Sequence, residues 1–241
     1  GPPEVLWPLI TEAMAVLEAR TGLRQNMSKA KVYSPNGNYG DVPEGVTVGC
    51  MGRRRDAAGE WEGEMGMGII AGGVPIGDDV FKRNFVAQKV DEVSGEIEKN
   101  HTLLRSVNAH DHAFHALRLS DVHRLDYLTQ VVSPHTPGVI DEFRRYDDVL
   151  QTLLAASVGA DVHHLNPATH TNPGLVVQRS QLAKRHKGVG IVRVADVCHA
   201  AFVGSVNMTV PRFPNRTRPD GSTIPGLASH LEPVVGTAAD F

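Results

Sequence analysis

Cysteine is scarce in this chain. Cys50 and Cys198 are the only two, far apart and outside any C-x-x-C spacing. That excludes a disulfide scaffold and a cysteine zinc centre, and it fits a reducing intracellular compartment, cytoplasm or nucleus. Long hydrophobic runs are missing too. No uninterrupted apolar stretch approaches membrane-spanning length, and no secretory signal opens the chain, so no membrane partner is expected. Aromatic residues make up only 5%, which argues against base stacking as a main binding mode. Neither sign of charge dominates: the formal net charge is −3 over 241 residues, so bulk charge gives no pull toward nucleic acid. There is no G-x-S-x-G elbow and no G-x-x-x-x-G-K-[ST] loop, which removes the usual serine-hydrolase and phosphate-loop readings. No internal repeat is visible.

What remains is the composition of a globular protein, 41% hydrophobic and 21% charged, long enough for a real core. Residues 4–20 place Val5, Leu6, Leu9, Ile10, Ala13, Met14 and Leu17 at helical spacing. Pro8 confines the regular part of that helix to the residues after it, and Gly22 is a stop. Leu23–Tyr33 reads as extended, in two pieces around Ser28. Residues 34–45 form a loop, Val46–Val48 a strand, and Arg53–Met65 an exposed excursion. Gly66–Ala71 is a second strand. It runs into Gly72-Gly73-Val74-Pro75-Ile76-Gly77, whose glycines and proline predict a tight strand-to-helix turn.

Beyond that turn the pattern is almost wholly helical. Phe81, Phe85, Val86, Val90, Val93 and Ile97 trace one face of a helix capped by Asp78 or Asp79. Further helices are expected over Ala109–Leu119, from Ser120 through Val132, over Val139–Ser157, over Leu175–Ala183 and over Val194–Val206, with a loop at Asp161–Gly174. Residues 207–241 read as a loosely structured tail.

Several groups of residues carry chemistry. Lys29 comes after a helix and a turn; it is either a solvated surface lysine or a cation placed near developing phosphate charge. From Arg179 to Arg193 there are five basic residues and no acid: Arg179, Lys184, Arg185, Lys187 and Arg193. A local patch of this kind binds phosphates even in a slightly acidic chain, because screening confines the field; a solvated surface is the alternative. Arg53-Arg54-Arg55 is another basic run. His110-x-His112-x-x-His115 has imidazoles on a helix, but no ligand set beyond Asp111, so cap, surface and core roles fit it better than a metal. Tyr146-Asp147-Asp148 has adjacent acids inside a strong helical pattern, which predicts carboxylates on a solvated face. Asp78-Asp79 reads as a cap, and Tyr39-Gly40-Asp41 has a single acid. No metal site is expected in this chain.

The order of motifs carries more than any one of them. Gly1-Pro2-Pro3-Glu4 leads into a helix, then Thr21-Gly22-Leu23 with Asn26 and Lys29, then Gly73-Val74-Pro75-Ile76-Gly77 opening a long helix. Downstream come Leu103-Leu104-Arg105, Arg124-Leu125-Asp126-Tyr127-Leu128, Pro134, Phe143–Leu154, Gln181–Ile191 and Ala200-Ala201-Phe202-Val203-Gly204-Ser205. This series resembles the reverse-transcriptase-like open reading frames of non-LTR-type retrotransposons. Gly72 stands where that family usually has Leu, and Ala183 where it has Pro.

The resemblance implies an α+β, mostly α fold. Residues 1–77 would be the C-terminal part of a palm, a helix plus short antiparallel strands ending in the palm–thumb junction. Residues 78–206 would be a helical thumb and connection. Lys29 would lie near the triphosphate; Gly73, Val74, Pro75, Ile76 and Gly77 would position the primer end; and Arg179, Lys184, Arg185, Lys187 and Arg193 would contact nucleic-acid backbone. The implied partners are an RNA/DNA primer–template and the remainder of the polymerase, its fingers and catalytic palm. The intact enzyme would use Mg2+ held by paired aspartates, which the family carries just before the Gly-Pro-Pro-Glu segment. By this reading the chain is a palm–thumb fragment of an RNA-directed DNA polymerase, not catalytic alone. The rival readings are a non-catalytic helical module binding nucleic acid or protein, and a decayed element without activity.

Overall fold

The structure is a computed structural model, and it describes residues 3–24, 26–157, 189–217 and 221–226. The fold is α+β, with helices dominating and small sheets. By contacts the chain divides into two compact units, Gly1–Lys89 with Thr136–Val139, and Val90–His135 with Ile140–Phe241. That division falls inside a helix, whereas the change from strand to helix lies at residues 77–79, where the sequence places a domain boundary.

The first unit opens with α1, Pro3–Thr21. The helix runs through Pro8 rather than starting after it. Pro8 lies one turn in, where its missing N–H frees only the carbonyl of Glu4, and Glu4 is exposed to water. Gly22 at φ +70° ends the helix, its N–H donating to the Glu18 carbonyl at 2.8 Å. After a 3-10 turn at Met27–Lys29, β1 (Lys31–Val32) pairs in parallel with β2 (Thr47–Val48), where only antiparallel strands are expected from the sequence. β3 (Cys50–Met51) pairs antiparallel with β6 (Gly66–Ala71), and β6 with β7 (Val74–Gly77). Between them β4 (Arg54–Arg55) and β5 (Trp61–Glu62) make a separate exposed hairpin.

α2 spans Asp79–Ser106. Asn108, in the left-handed region at φ +56°, closes it, and the Ala109 N–H returns to the Leu104 carbonyl at 2.8 Å. In the second unit, the later part of α2 is joined by α3 (His110–Leu119), α4 (Asp126–Val131), α5 (Val139–Ser157, from Ile140 onward) and α6 (Val194–Thr209). Val90, Ile97, Leu117, Leu125, Phe143, Tyr146 and Leu150 fill its core. The helix expected from Ser120 through Val132 is broken into a 3-10 turn, Asp121–His123, and α4. The Asp121 carbonyl explains the break. It accepts from the Tyr146 hydroxyl and the Arg124 N–H, instead of the Leu125 N–H that would continue a helix. Within the expected tail, the described residues form a 3-10 turn at Val210–Arg212 and a short antiparallel pair, β8 (Arg216–Thr217) with β9 (Thr223–Ile224).

A buried polar network anchors this unit. His101 continues the buried face of α2 one turn beyond Ile97. Its Nε2 lies 2.9 Å from Asp121 Oδ2, with both residues buried. Removing one partner of such a pair strands the other's charge or dipole. Asp121→Ala is expected to cost about 3 kcal/mol, read as a lower urea midpoint at unchanged slope. A loss under about 0.5 kcal/mol, the usual size of a surface substitution, would show that the pair is not a structural anchor.

Candidate nucleic-acid interface

The glycine-rich stretch is where the sequence and the structure differ most usefully. Gly72 and Gly73 are both left-handed, at φ +58° and +83°, and they close a two-residue hairpin between β6 and β7. The turn therefore joins strand to strand. Val74, Pro75, Ile76 and Gly77 are themselves a strand, and the passage to helix comes one residue later. An extended Val-Pro-Ile run favours pairing with the Ile-rich β6, and Pro75 is tolerated because β7 is an edge strand.

Asp78 makes the corner. Its Oδ1 accepts from the Phe81 N–H at 2.7 Å, capping α2, while Oδ2 accepts from the Met67 N–H at 2.8 Å. Its own N–H donates to the Met67 carbonyl at 2.9 Å. One side chain thus ties helix and hairpin together. Phe81 is 2% exposed and packs on three glycines, where an added Cβ would lie 2.1 Å from the Phe81 N at Gly66, 2.6 Å from its ring at Gly68 and 3.0 Å at Gly77. Asn84, fully buried, donates to the carbonyls of Met51 at 3.0 Å and Glu64 at 2.8 Å and holds the next turn of α2 to the same sheet. The hairpin tip stays open, with Ile70 and Ile76 exposed.

The basic residues are placed differently. Lys29 ends the 3-10 turn, exposed, and its ammonium has no ion-pair or hydrogen-bond partner among the described residues. Arg193 directly precedes α6. Its Nε lies 3.8 Å from Asp147 Oδ2, and the side chain is 29% exposed, so its guanidinium is turned toward a buried acid. Arg179, Lys184, Arg185 and Lys187 lie outside the described residues. Arg54 pairs with Glu62, and Arg55 sits 4.5 Å over the Trp61 ring, so the run at 53–55 is engaged within its own hairpin.

Asp147 corrects the expectation of a solvated acid pair. It is 1% exposed, and its two carboxylate oxygens accept from the N–H groups of Val194 at 2.8 Å and Ala195 at 3.0 Å. Burial pushes its pKa up to about 6, against the pull of those two donors and of Arg193. It is the cap of α6, supplied from α5 across a long stretch of sequence, and spacing alone does not reveal such a cap. Asp148 is exposed, and Asp78 is spent on its cap. His110, His112 and His115 lie on α3, and all three are exposed. Among the described residues no three His, Cys, Asp or Glu side chains converge as metal ligands would.

Comparisons with protein-family models, curated proteins and solved structures return no match. Among the described residues, no helix is long and apolar enough to cross a membrane. The first unit offers a stiff hairpin-to-helix corner with an apolar tip, and an exposed lysine on a separate turn.

Proposed function

We propose that this chain acts as the palm–thumb part of an RNA-directed DNA polymerase of the retrotransposon type. The observation that carries the reading is the corner at Gly66–Phe81. A hairpin that must hold a primer end has to be stiff relative to the helix after it. Here Asp78 bonds both elements, and Phe81 fills the space left by three glycines. In this reading Gly73–Gly77 positions the primer, Lys29 faces the triphosphate, and Arg179, Lys184, Arg185, Lys187 and Arg193 contact the backbone of the duplex. The Asp78-Asp79 and Asp147-Asp148 pairs do not fit a Mg2+ role, since Asp147 and Asp78 are committed to caps. No metal-dependent step is assigned to them, and the metal-holding aspartates belong to the remainder of the polymerase. The outer stripe of α1, Val5, Leu9, Val16 and Leu17, is exposed and gives that remainder an apolar surface to pack on.

Binding to an RNA–DNA primer–template duplex tests this directly. If four of the basic side chains neutralise phosphates, affinity should fall about 100-fold between 50 and 200 mM salt. Replacing Arg179, Lys184, Arg185 and Lys187 together by Gln should flatten that slope. Absence of duplex binding, or binding indifferent to salt, would overturn the reading. Metal-dependent primer extension by this chain alone would overturn the assignment of catalysis to the remainder. The exposed α1 stripe also favours a second reading, a protein-binding module, which predicts salt-insensitive association with a protein partner.

A further inference from the structure

Beneath α1 lies a cavity of about 720 Å3, within the range of small-molecule sites. The inner face of α1 forms one wall, where Trp7, Ile10 and Met14 are half-buried. Val32, Val46 and Ile69 form the other. No residue of α1 is fully buried, so the helix rests on this space rather than on a packed core. Three charged side chains border it. Glu18 and Arg24 pair with each other at 2.7 Å. Lys31 is exposed, and its ammonium has no partner among the described residues. The cavity is thus largely apolar, with the Lys31 ammonium, unpaired among the described residues, at its border.

We propose that this cavity binds a free single-chain amphiphile with one negative charge, an alkyl carboxylate, its chain between α1 and β1 and its carboxylate at Lys31. The apolar walls give a chain its driving force. The Lys31 ammonium selects an anionic head over a neutral one. A recess under a helix suits one chain entering from solution rather than a bilayer surface. The proposal does not rest on the polymerase reading: it shares only the β6 wall residue Ile69 with the hairpin, and uses neither the Asp78–Phe81 corner contacts nor the outer stripe of α1.

Trp7 lines the cavity and serves as reporter once Trp61, the only other tryptophan, is changed by Trp61→Phe on its exposed hairpin. Titration with decanoate, below its micelle range, should give a saturable one-to-one change in Trp7 emission. Neutral 1-decanol should bind more weakly, and Lys31→Met should weaken decanoate about 3- to 5-fold while leaving decanol unchanged. Ile10→Asp, which puts a carboxylate into the apolar wall, should weaken the decanoate response at least tenfold. The proposal is overturned by no saturable change, by equal affinity for decanoate and decanol, or by a response unweakened in Ile10→Asp. Sedimentation with phosphatidylglycerol vesicles in preference to free decanoate would assign the surface to a bilayer and overturn it equally.

Discussion

Gly66→Ala is expected to destabilise the first unit by about 3 kcal/mol or more, the upper end of what overpacking does. The new Cβ would stand 2.1 Å from the Phe81 N and 2.3 Å from its Cα. Both are backbone atoms at the start of a long helix, and no side-chain rotation relieves the clash. The helix must move off the sheet, and Asp78 cannot follow both elements, so either its bonds to Met67 or its cap on Phe81 is lost. A thermal melt should show a fall of roughly 6–12 °C for a chain of this size. Gly95→Ala is the matched control. Gly95 lies in the middle of α2 with nothing within 4 Å of an added Cβ, so the substitution should stabilise by about 0.5–1 kcal/mol through helix propensity alone. Equal effects from the two glycines would mean that the corner is not close-packed.

Asp147 should give the second large effect, and with an unusual sign. Its folded pKa is raised to about 6 from an ordinary 3.8. Between those values the folded chain binds more protons than the unfolded one, so stability falls as pH rises from about 4 to about 6 and is level above that. Most acids in folded proteins behave the opposite way. On this group alone the loss is about 3 kcal/mol. Urea midpoints of the native chain and of Asp147→Asn, measured from pH 4 to pH 7, isolate it by difference. The native chain should lose stability relative to the variant across that window; a constant difference, or a gain, would refute the assignment. Asp147→Ala removes the cap itself and leaves the Val194 and Ala195 N–H groups without their acceptor, at an expected cost of about 3 kcal/mol at pH 7.

The contrast between Asp78 and Asp147 shows what a sequence can and cannot announce. Asp78 caps a helix three residues away, and the pattern of Phe81, Phe85 and Val90 beside it makes that role readable. Asp147 caps a helix 47 residues away, and its own helical pattern makes it look solvated. The long helices are readable for the same local reason, since α2, α3 and α5 track their apolar spacing closely. The strand character of Val74–Gly77 is hidden by its glycines and proline, which signal a turn whenever no pairing partner is known. His101 escapes notice because a histidine on an apolar face looks like any core residue until Asp121 is brought to it.

The two thiols sit at opposite extremes. Cys50 is exposed in β3, whereas Cys198 in α6 has no accessible surface, donates to the Ala195 carbonyl at 3.2 Å, and has its pKa raised first by burial. A thiol reagent therefore meets one fast and one slow cysteine in the unaltered chain. The fast one marks the sheet edge of the first unit at once. The slow one reacts only when α6 leaves the core, so its modification rate is a clock for the opening of that helix. Because Cys198 lies one turn beyond the Asp147 cap, that clock should run at a pace set by pH.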